Sequence, residues 1–152
     1  MSTPSNAPQS LISTADRQAL AAFPFLSADV LRYGDTDRQG HVNNAVYATF
    51  FETGRITLMN DALGPESGWG GHEFVIVKLT VEFLSEVRWP GTVVVGSRVA
   101  HIGTSSVTVE QELSAAGHVS ARAQSVMVQI DTQTRASAPF SDAARAALER
   151  CS

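Results

Sequence analysis

The stretch NNAVYATFFETGRITLMNDAL, residues 43–63, decides the fold. Val46, Tyr47, Phe50, Phe51, Gly54, Leu58 and Ala62 recur in it at three- and four-residue steps, the spacing of one face of an α-helix. Asn43 or Asn44 suits the N-cap, because a short amide side chain can take an N–H that the first turn leaves unpaired. Gly64-Pro65 stops the helix. Ala45 and Ala48 widen the apolar stripe, so the helix is expected to be buried along much of its surface. Gly54 costs about 1 kcal/mol relative to Ala in mid-helix, and close packing against another backbone is the expected compensation.

Downstream lie four strand-like runs. In the first, Val77, Leu79, Val81 and Phe83 alternate with Lys78, Thr80 and Glu82, the period of a half-buried strand. Trp89-Pro90-Gly91 marks a turn. Val93, Val95 and Val99 share a face of the second run, with Arg98 on the other. Gly103-Thr104 turns the chain into the third run, where Val107, Val109 and Leu113 oppose Thr108, Glu110 and Glu112. Ala116-Gly117 reads as a hairpin turn. In the fourth run, residues 119–131, the apolar phase shifts between Ala123 and Val126, which implies a bulge or a strand covered on both faces. A short helix capped by Ser141 follows.

Upstream, residues 1–10 are polar and proline-containing and are expected to be disordered. Ser13 or Thr14 can cap a short helix running to about Phe23, ended by Pro24, and a short strand is expected over residues 29–34. Tight hairpins make the sheet antiparallel, and one of its faces must cover the long helix. The chain therefore reads as an α+β domain: five antiparallel strands wrapped around a helix over residues 29–152, preceded by an extension over residues 1–28.

Bulk properties exclude several classes of function. The chain has 152 residues, enough for one domain with a real core, and a net charge of −4. It lacks the basic face that nucleic-acid binding needs. No apolar run approaches the roughly 20 residues of a membrane span, and the N-terminus lacks the basic and apolar regions of a signal peptide. A cytoplasmic setting is expected, and the single Cys151 fits it as an inert thiol. His41, His72, His101 and His118 have no metal-ligand spacing, so no metal and no cofactor is expected. Phosphate-binding and dinucleotide fingerprints are missing.

The segment RYGDTDRQGHVNN, residues 32–44, is unlike the rest of the chain. It packs Asp35, Asp37, His41, Asn43 and Asn44 into a crossing that opens the long helix. A helix start presents free N–H groups and a positive dipole end, which would stabilise a polarised carbonyl or an oxyanion. A carboxylate just before it, Asp37, can attack that carbonyl or deprotonate a water. His41 can hydrogen-bond a substrate or fix the loop. The same residue types also serve as plain turn and cap residues, Asp35 and Asn43 above all.

The run GDTDRQGHVNNAVYATFFETGR resembles the signature of hotdog-fold thioesterases of the 4-hydroxybenzoyl-CoA thioesterase type. Tyr33, Asp35, Asp37, Gly40, His41, Asn43, Asn44, Tyr47, Glu52 and Arg55 occupy the positions of its pattern. KLTVEFLSEVRWPGTVVV and RVAHIGTSSVTVEQEL are similar to later strands of the family. The resemblance implies a hotdog fold and hydrolysis of acyl-CoA thioesters, with Asp37 as nucleophile or general base and the Asn44 N–H polarising the thioester carbonyl. His41 is common in the acyl-chain relatives, which tilts the expected substrate toward aliphatic acyl groups. Some relatives carry an assisting His where this chain has Asn44. The resemblance also implies a homodimer or homotetramer with active sites at the subunit interface. It implies substrate contacts from Tyr33 and Tyr47, and from Arg98, Ser105 and Ser106 near the turn before the third run, alongside His101. A solvated turn is the alternative there.

Other residues carry two readings each. Arg88 is a phosphate contact or a surface charge. Glu52 and Arg55 pair structurally or support Asp37. The glycine-rich loop around Trp69 is an acyl-pocket lid or a plain surface loop. Two rival functions stand beside the thioesterase. One is a hotdog hydratase or dehydratase, whose D-x-N-P-x-H pattern is not matched here. The other is a non-catalytic binder of acyl-CoA or acyl carrier protein.

Overall fold

The structure, a computed structural model, describes residues 9–64 and 69–152. In chain order its elements are α1 (Thr14–Ala19), β1 (Phe25–Val30), α2 (Asn44–Leu63), β2 (His72–Phe83), β3 (Thr92–Ile102), β4 (Ser106–Ala115), β5 (His118–Asp131) and α3 (Asp142–Glu149), with short 3-10 turns at Gln9–Leu11 and Tyr33–Asp35. The strands form one antiparallel sheet in the order β1-β3-β4-β5-β2, packed against α2. This is the α+β hotdog arrangement that the resemblance implies. Among the described residues no helix is long and apolar enough to cross a membrane.

Asn43 caps α2. Its side-chain oxygen accepts the Ala45 N–H at 2.9 Å, and its carbonyl accepts the Val46 N–H at 2.9 Å. Gly64, at φ +86°, ends the helix in a conformation that costs a glycine little. Tyr47, Phe50, Phe51, Leu58 and Met59 are buried. Gly54 is needed for close approach, but to side chains rather than to another backbone. A Cβ there would lie 2.7 Å from Gln111 Nε2 and 2.8 Å from Val95 Cγ1. Gln111 Nε2 donates to the Phe51 carbonyl and to Ser97 Oγ, each at 2.9 Å, and so ties the sheet to the helix through the space the glycine leaves.

β3 is buried on both faces. Val93 and Val95 join the core under α2, whereas Val94 packs with Ile12 and Leu20 on the other side. The cover on that outer side is the segment before β1. Its anchor is Asp16, which accepts from Ser13 Oγ at 2.6 Å, Ser114 Oγ at 2.7 Å and the Gly117 N–H at 2.8 Å. Burial alone would raise the Asp16 pKa, but these hydrogen bonds outweigh it and hold the carboxyl below its ordinary value.

Several expectations need correction. The first strand covers Phe25–Val30, not residues 29–34. The Asp35 carboxylate accepts the Arg32 N–H at 2.8 Å and draws the chain after Leu31 into a 3-10 turn instead of a strand. β5 shows no phase shift between Ala123 and Val126: Ala121, Ala123, Ser125, Met127 and Gln129 are all buried. The extra residue is Ser120, where pairing steps from Leu113↔Ala121 to Ser114↔Val119. β2 is not half-buried either. It is a sheet edge, and Ile76, Val77, Leu79 and Phe83 are exposed. The disorder expected of residues 1–10 falls largely outside the described residues, as does part of the glycine-rich loop. Trp69 itself is buried, with its Nε1–H donating to the Gly64 carbonyl at 2.9 Å.

Candidate active site

The loop between β1 and α2 is built by its own backbone. Gly40 N–H donates to the Asp37 carbonyl at 3.1 Å, and Asp37 N–H donates to the His41 carbonyl at 3.0 Å. Gly40 takes φ +85°, which closes the turn. Thr36 and Val42 form a bridge across its base, and Asn43 N–H donates to the Asp35 carbonyl at 2.9 Å. Asp35 is 3% exposed, and its second oxygen accepts from Arg32 Nη2 at 3.0 Å. Burial pushes its pKa up, but the Arg32 hydrogen bonds and charge outweigh that and lower it. Asp35 is therefore an architectural carboxylate.

The loop is then fastened to the segment ahead of β3. Val42 N–H donates to the Val87 carbonyl at 2.8 Å, and His41 bridges to Arg88. This docking assembles a row of side chains. Asp37 Oδ1 accepts the Gln39 N–H at 2.8 Å, while Oδ2 lies 3.8 Å from His41 Nδ1. His41 Nε2 lies 3.4 Å from Glu86 Oε1, and Glu86 Oε2 accepts from Arg88 Nη2 at 3.1 Å. The Asp37 side chain keeps 29% of its surface exposed. Sequence reasoning missed Glu86. It lies 45 residues from His41, and only the pairing of the loop with residues 87–88 brings the two together.

The same loop closes directly onto the start of α2. The cap consumes the Ala45 and Val46 amides, and no described residue accepts from the Asn44 amide. A part-exposed carboxylate next to a helix start with an available N–H can polarise a carbonyl and deliver a nucleophile to it.

The other candidate residues divide. Tyr33 is 75% exposed, its ring edge-on to Trp89 with centroids 5.5 Å apart. Tyr47 is a core residue, edge-on to Phe83 at 5.2 Å. Burial pushes its hydroxyl up from the ordinary pKa, a hydrogen bond with the Val87 backbone opposes the rise, and the Glu86 charge adds to it. Arg98 lies over the Phe23 ring and pairs with Glu110 at 2.9 Å on the outer face of the sheet. The Ser106 carbonyl accepts the Gly103 N–H, and the Ser105 carbonyl accepts the Gln129 N–H, each at 2.7 Å. These serines sit past the far end of β3, about 30 Å along the strand from the end nearest Asp37 at ~3.3 Å per residue. Within one chain, Arg98, Ser105 and Ser106 are not brought to Asp37.

Among the secondary residues, Arg88 is occupied by Glu86. Arg55 is buried whereas Glu52 is exposed; burial lowers the guanidinium's pKa and the Glu52 charge offsets part of the fall. Cys151 is buried, and burial pushes its thiol up, away from nucleophile chemistry. Among the described residues no three His, Cys, Asp or Glu side chains converge as a metal site would require.

Comparison with known proteins adds independent findings. No curated protein sequence matches the chain. Among solved structures, a Pseudomonas aeruginosa protein is 26% identical, with a TM-score of 0.79 over 87% of this chain and 94% of that one. A predicted thioesterase from Bacillus stearothermophilus is 28% identical, with a TM-score of 0.74 over 84% of this chain and 95% of the other. A Thermus thermophilus thioesterase, solved with coenzyme A and zinc, is 29% identical, with a TM-score of 0.73 over 83% and 98% of the two chains. The sequence profile of the thioesterase-like superfamily matches residues 31–148, a span from the end of β1 to α3 that includes the whole Asp37 loop, and the chain belongs to that superfamily.

Proposed function

We propose that this protein hydrolyses acyl-CoA thioesters, with aliphatic acyl chains preferred, to the free acid and CoA. The observation that carries the reading is the contrast in the loop that opens α2: Asp37 has one oxygen held by the Gln39 N–H and the other turned toward His41 at 3.8 Å, and the loop leads into a helix start whose Asn44 amide has no acceptor among the described residues. The thioester carbonyl oxygen accepts from the Asn44 N–H. Asp37 either attacks the carbonyl carbon or takes a proton from water as the water oxygen bonds to that carbon. On the first route the C–S bond breaks with its electron pair on sulfur and leaves an acyl–Asp37 anhydride; water then gives its proton to the thiolate and its hydroxide to the anhydride, which releases the acid and frees Asp37. On the second route the C–S bond breaks in the same way, and the proton that Asp37 took from water passes to the thiolate. Acyl-CoA is the expected partner, in keeping with a thioesterase relative solved with coenzyme A.

The working unit in this reading is a homodimer or homotetramer with sites at the subunit interface. Two features support it. The apolar residues of edge strand β2 are exposed in the single chain, and large uncovered apolar patches mark interfaces. Arg98, Ser105 and Ser106 can serve the Asp37 site only from a second copy, because their own lie toward the other end of the sheet. Tyr33 contributes to substrate contact from the exposed side of the loop, and Tyr47 shapes the site from beneath.

The test is a hydrolysis screen against saturated acyl-CoAs of increasing length, aromatic acyl-CoAs and enoyl-CoA, with free CoA thiol measured. Release of thiol from aliphatic acyl-CoAs that Asp37→Asn abolishes is the expected result. Hydration of enoyl-CoA without thiol release would replace the reading with a lyase, and tight binding with no turnover would replace it with a binder.

A further inference from the structure

We propose that Glu86 is a positioning residue for His41, fixing which ring nitrogen carries the proton and so making the imidazole the acceptor for the proton that Asp37 takes up. The inference rests on the thioesterase reading of Asp37 but concerns a residue that the sequence pattern does not single out. It starts from the row described above. Both ring nitrogens of His41 face a carboxylate: Nδ1 faces Asp37 Oδ2 at 3.8 Å, and Nε2 faces Glu86 Oε1 at 3.4 Å. The outer carboxylate is itself held, because Arg88 Nη2 donates to Glu86 Oε2 at 3.1 Å. The main chain sets the spacing. Val42 N–H bonds to the Val87 carbonyl and His41 bridges to Arg88, so the Glu86 and His41 backbones cannot drift apart without breaking the docking of the loop. The Arg88 guanidinium lies close to the turn at Gly40, its Nη1 3.4 Å from where a Cβ would stand, an ordinary contact distance.

The chemistry follows from the donor and acceptor rules of imidazole. A neutral ring has one N–H and one lone pair, and the hydrogen bond made by one nitrogen sets the state of the other. Both carboxylates are acceptor-only when ionised, and Glu86, at 3.4 Å from Nε2 against 3.8 Å from Asp37 to Nδ1, is the nearer, so it favours the tautomer with the proton on Nε2. Nδ1 then presents its lone pair to Asp37 Oδ2. Before reaction this arrangement leaves the Asp37 carboxylate without a competing donor from His41. When Asp37 takes a proton from the attacking water, that proton can pass to Nδ1. The resulting imidazolium lies between two carboxylates, Asp37 from its own loop and Glu86 from the facing segment, with Arg88 as the cation on the far side of Glu86. When the C–S bond breaks, the proton moves to sulfur, so the net reaction is thioester plus water giving acid plus thiol. Glu86 touches neither substrate nor water in this scheme and acts only through His41.

The side chain of Glu86 is 59% exposed, so its substitution is not expected to unfold the protein. The experiment is a double-mutant cycle of Glu86→Ala and His41→Ala, read with the best acyl-CoA from the screen. Glu86→Ala is expected to lower kcat about tenfold with KM within about twofold, and to cost nothing more once His41 is Ala, because residues acting as a unit are non-additive. Glu86→Gln, which keeps an oxygen acceptor for Nε2–H, is expected to retain more activity than Glu86→Ala. Nitrogen-15 NMR of the imidazole, recorded at alkaline pH, is expected to show the Nε2-protonated tautomer of His41 in the wild type and loss of that preference in Glu86→Ala. Wild-type kcat in Glu86→Ala, an equal loss with and without His41, or an unchanged tautomer would overturn the role of Glu86. Those outcomes leave the thioesterase reading standing if Asp37→Asn is still inactive. A wild-type protein inert on every thioester would sink that reading, and the tautomer measurement would then decide the positioning role by itself.

Discussion

Asp35 and Asp37 stand two residues apart and are held in opposite ways. Asp35 is buried and saturated: Arg32 donates to both of its oxygens, from the backbone and from the guanidinium. Asp37 is partly exposed; a backbone amide takes one oxygen and the other faces an imidazole at 3.8 Å. A carboxylate with both oxygens engaged is held in its charged form and contributes to the fold. One with an open oxygen can attack or accept a proton. Asp16 belongs with Asp35, since its three partners lock the segment before β1 onto the hairpin between β4 and β5. Near-identical local sequence thus yields carboxylates with both oxygens held and one with an oxygen left open, and hydrogen bonding separates them.

The sharpest way to break the contrast is to neutralise each carboxylate in turn. Asp37→Asn is expected to lower thioester hydrolysis by about a hundredfold or more, with an unchanged urea midpoint. Wild-type turnover in that variant would remove Asp37 from the chemistry. Asp35→Asn is expected to cost roughly 1.5–3 kcal/mol of stability, the range for a lost charged hydrogen bond, measured by urea unfolding. A variant that kept full stability would mean that the Arg32–Asp35 turn is not what holds the loop.

pH sharpens the same comparison. Asp16 and Asp35 have lower pKa values in the folded state than in an unfolded chain. Their contribution is therefore complete above the ordinary carboxylate range, about 4, and is lost as pH falls through the folded values. Stability followed by denaturant midpoints should fall below about pH 4, and Asp16→Asn should flatten that acid limb. An acid limb of unchanged slope would show that Asp16 is not a source of it.

Two smaller effects extend the comparison from the loop to the rest of the molecule. Gly54→Ala is expected to destabilise by about 1–3 kcal/mol through overpacking against Gln111 and Val95, despite the better helix propensity of alanine. A more stable variant would mean that the sheet yields there. At the end of the molecule away from Asp37, Ser141→Ala removes the oxygen that accepts the Ala144 N–H at 3.1 Å. A loss of about 1 kcal/mol in thermal or urea unfolding is expected, with hydrolysis unaffected.

Much of this was legible before any coordinates. The 3.6-residue period of α2, its Asn43 cap and the Ala116-Gly117 turn are local properties, and local sterics and hydrogen bonding decide them. The Asp37 loop stood out for a related reason: polar residues crowd a helix start, where free amides are unavoidable. The less legible features all depend on neighbours distant in the chain. β1 escaped because Phe25 belongs to the core under α2, whereas Leu26 and Ala28 pack against the segment before it, so no single face marks the strand. The Ser120 bulge escaped because it exists only in the pairing with β4. β2 was misjudged because its alternation is that of a covered strand, yet at the sheet edge Val81 and Phe74 pack on the core while Ile76, Val77, Leu79 and Phe83 are exposed.

By itself the sequence determined the helix and the β3-β4-β5 hairpins, because each follows from spacing along the chain, but not that β2 passes over the turn at residues 89–91 to pair with β5 instead of β3. Only the tertiary structure decided which aspartates are saturated, that Gly54 makes room for Gln111 and Val95, and that Glu86 stands beside His41. Those outcomes hang on contacts between residues tens of positions apart, and side-chain periodicity carries no record of which strand or segment will arrive as the neighbour.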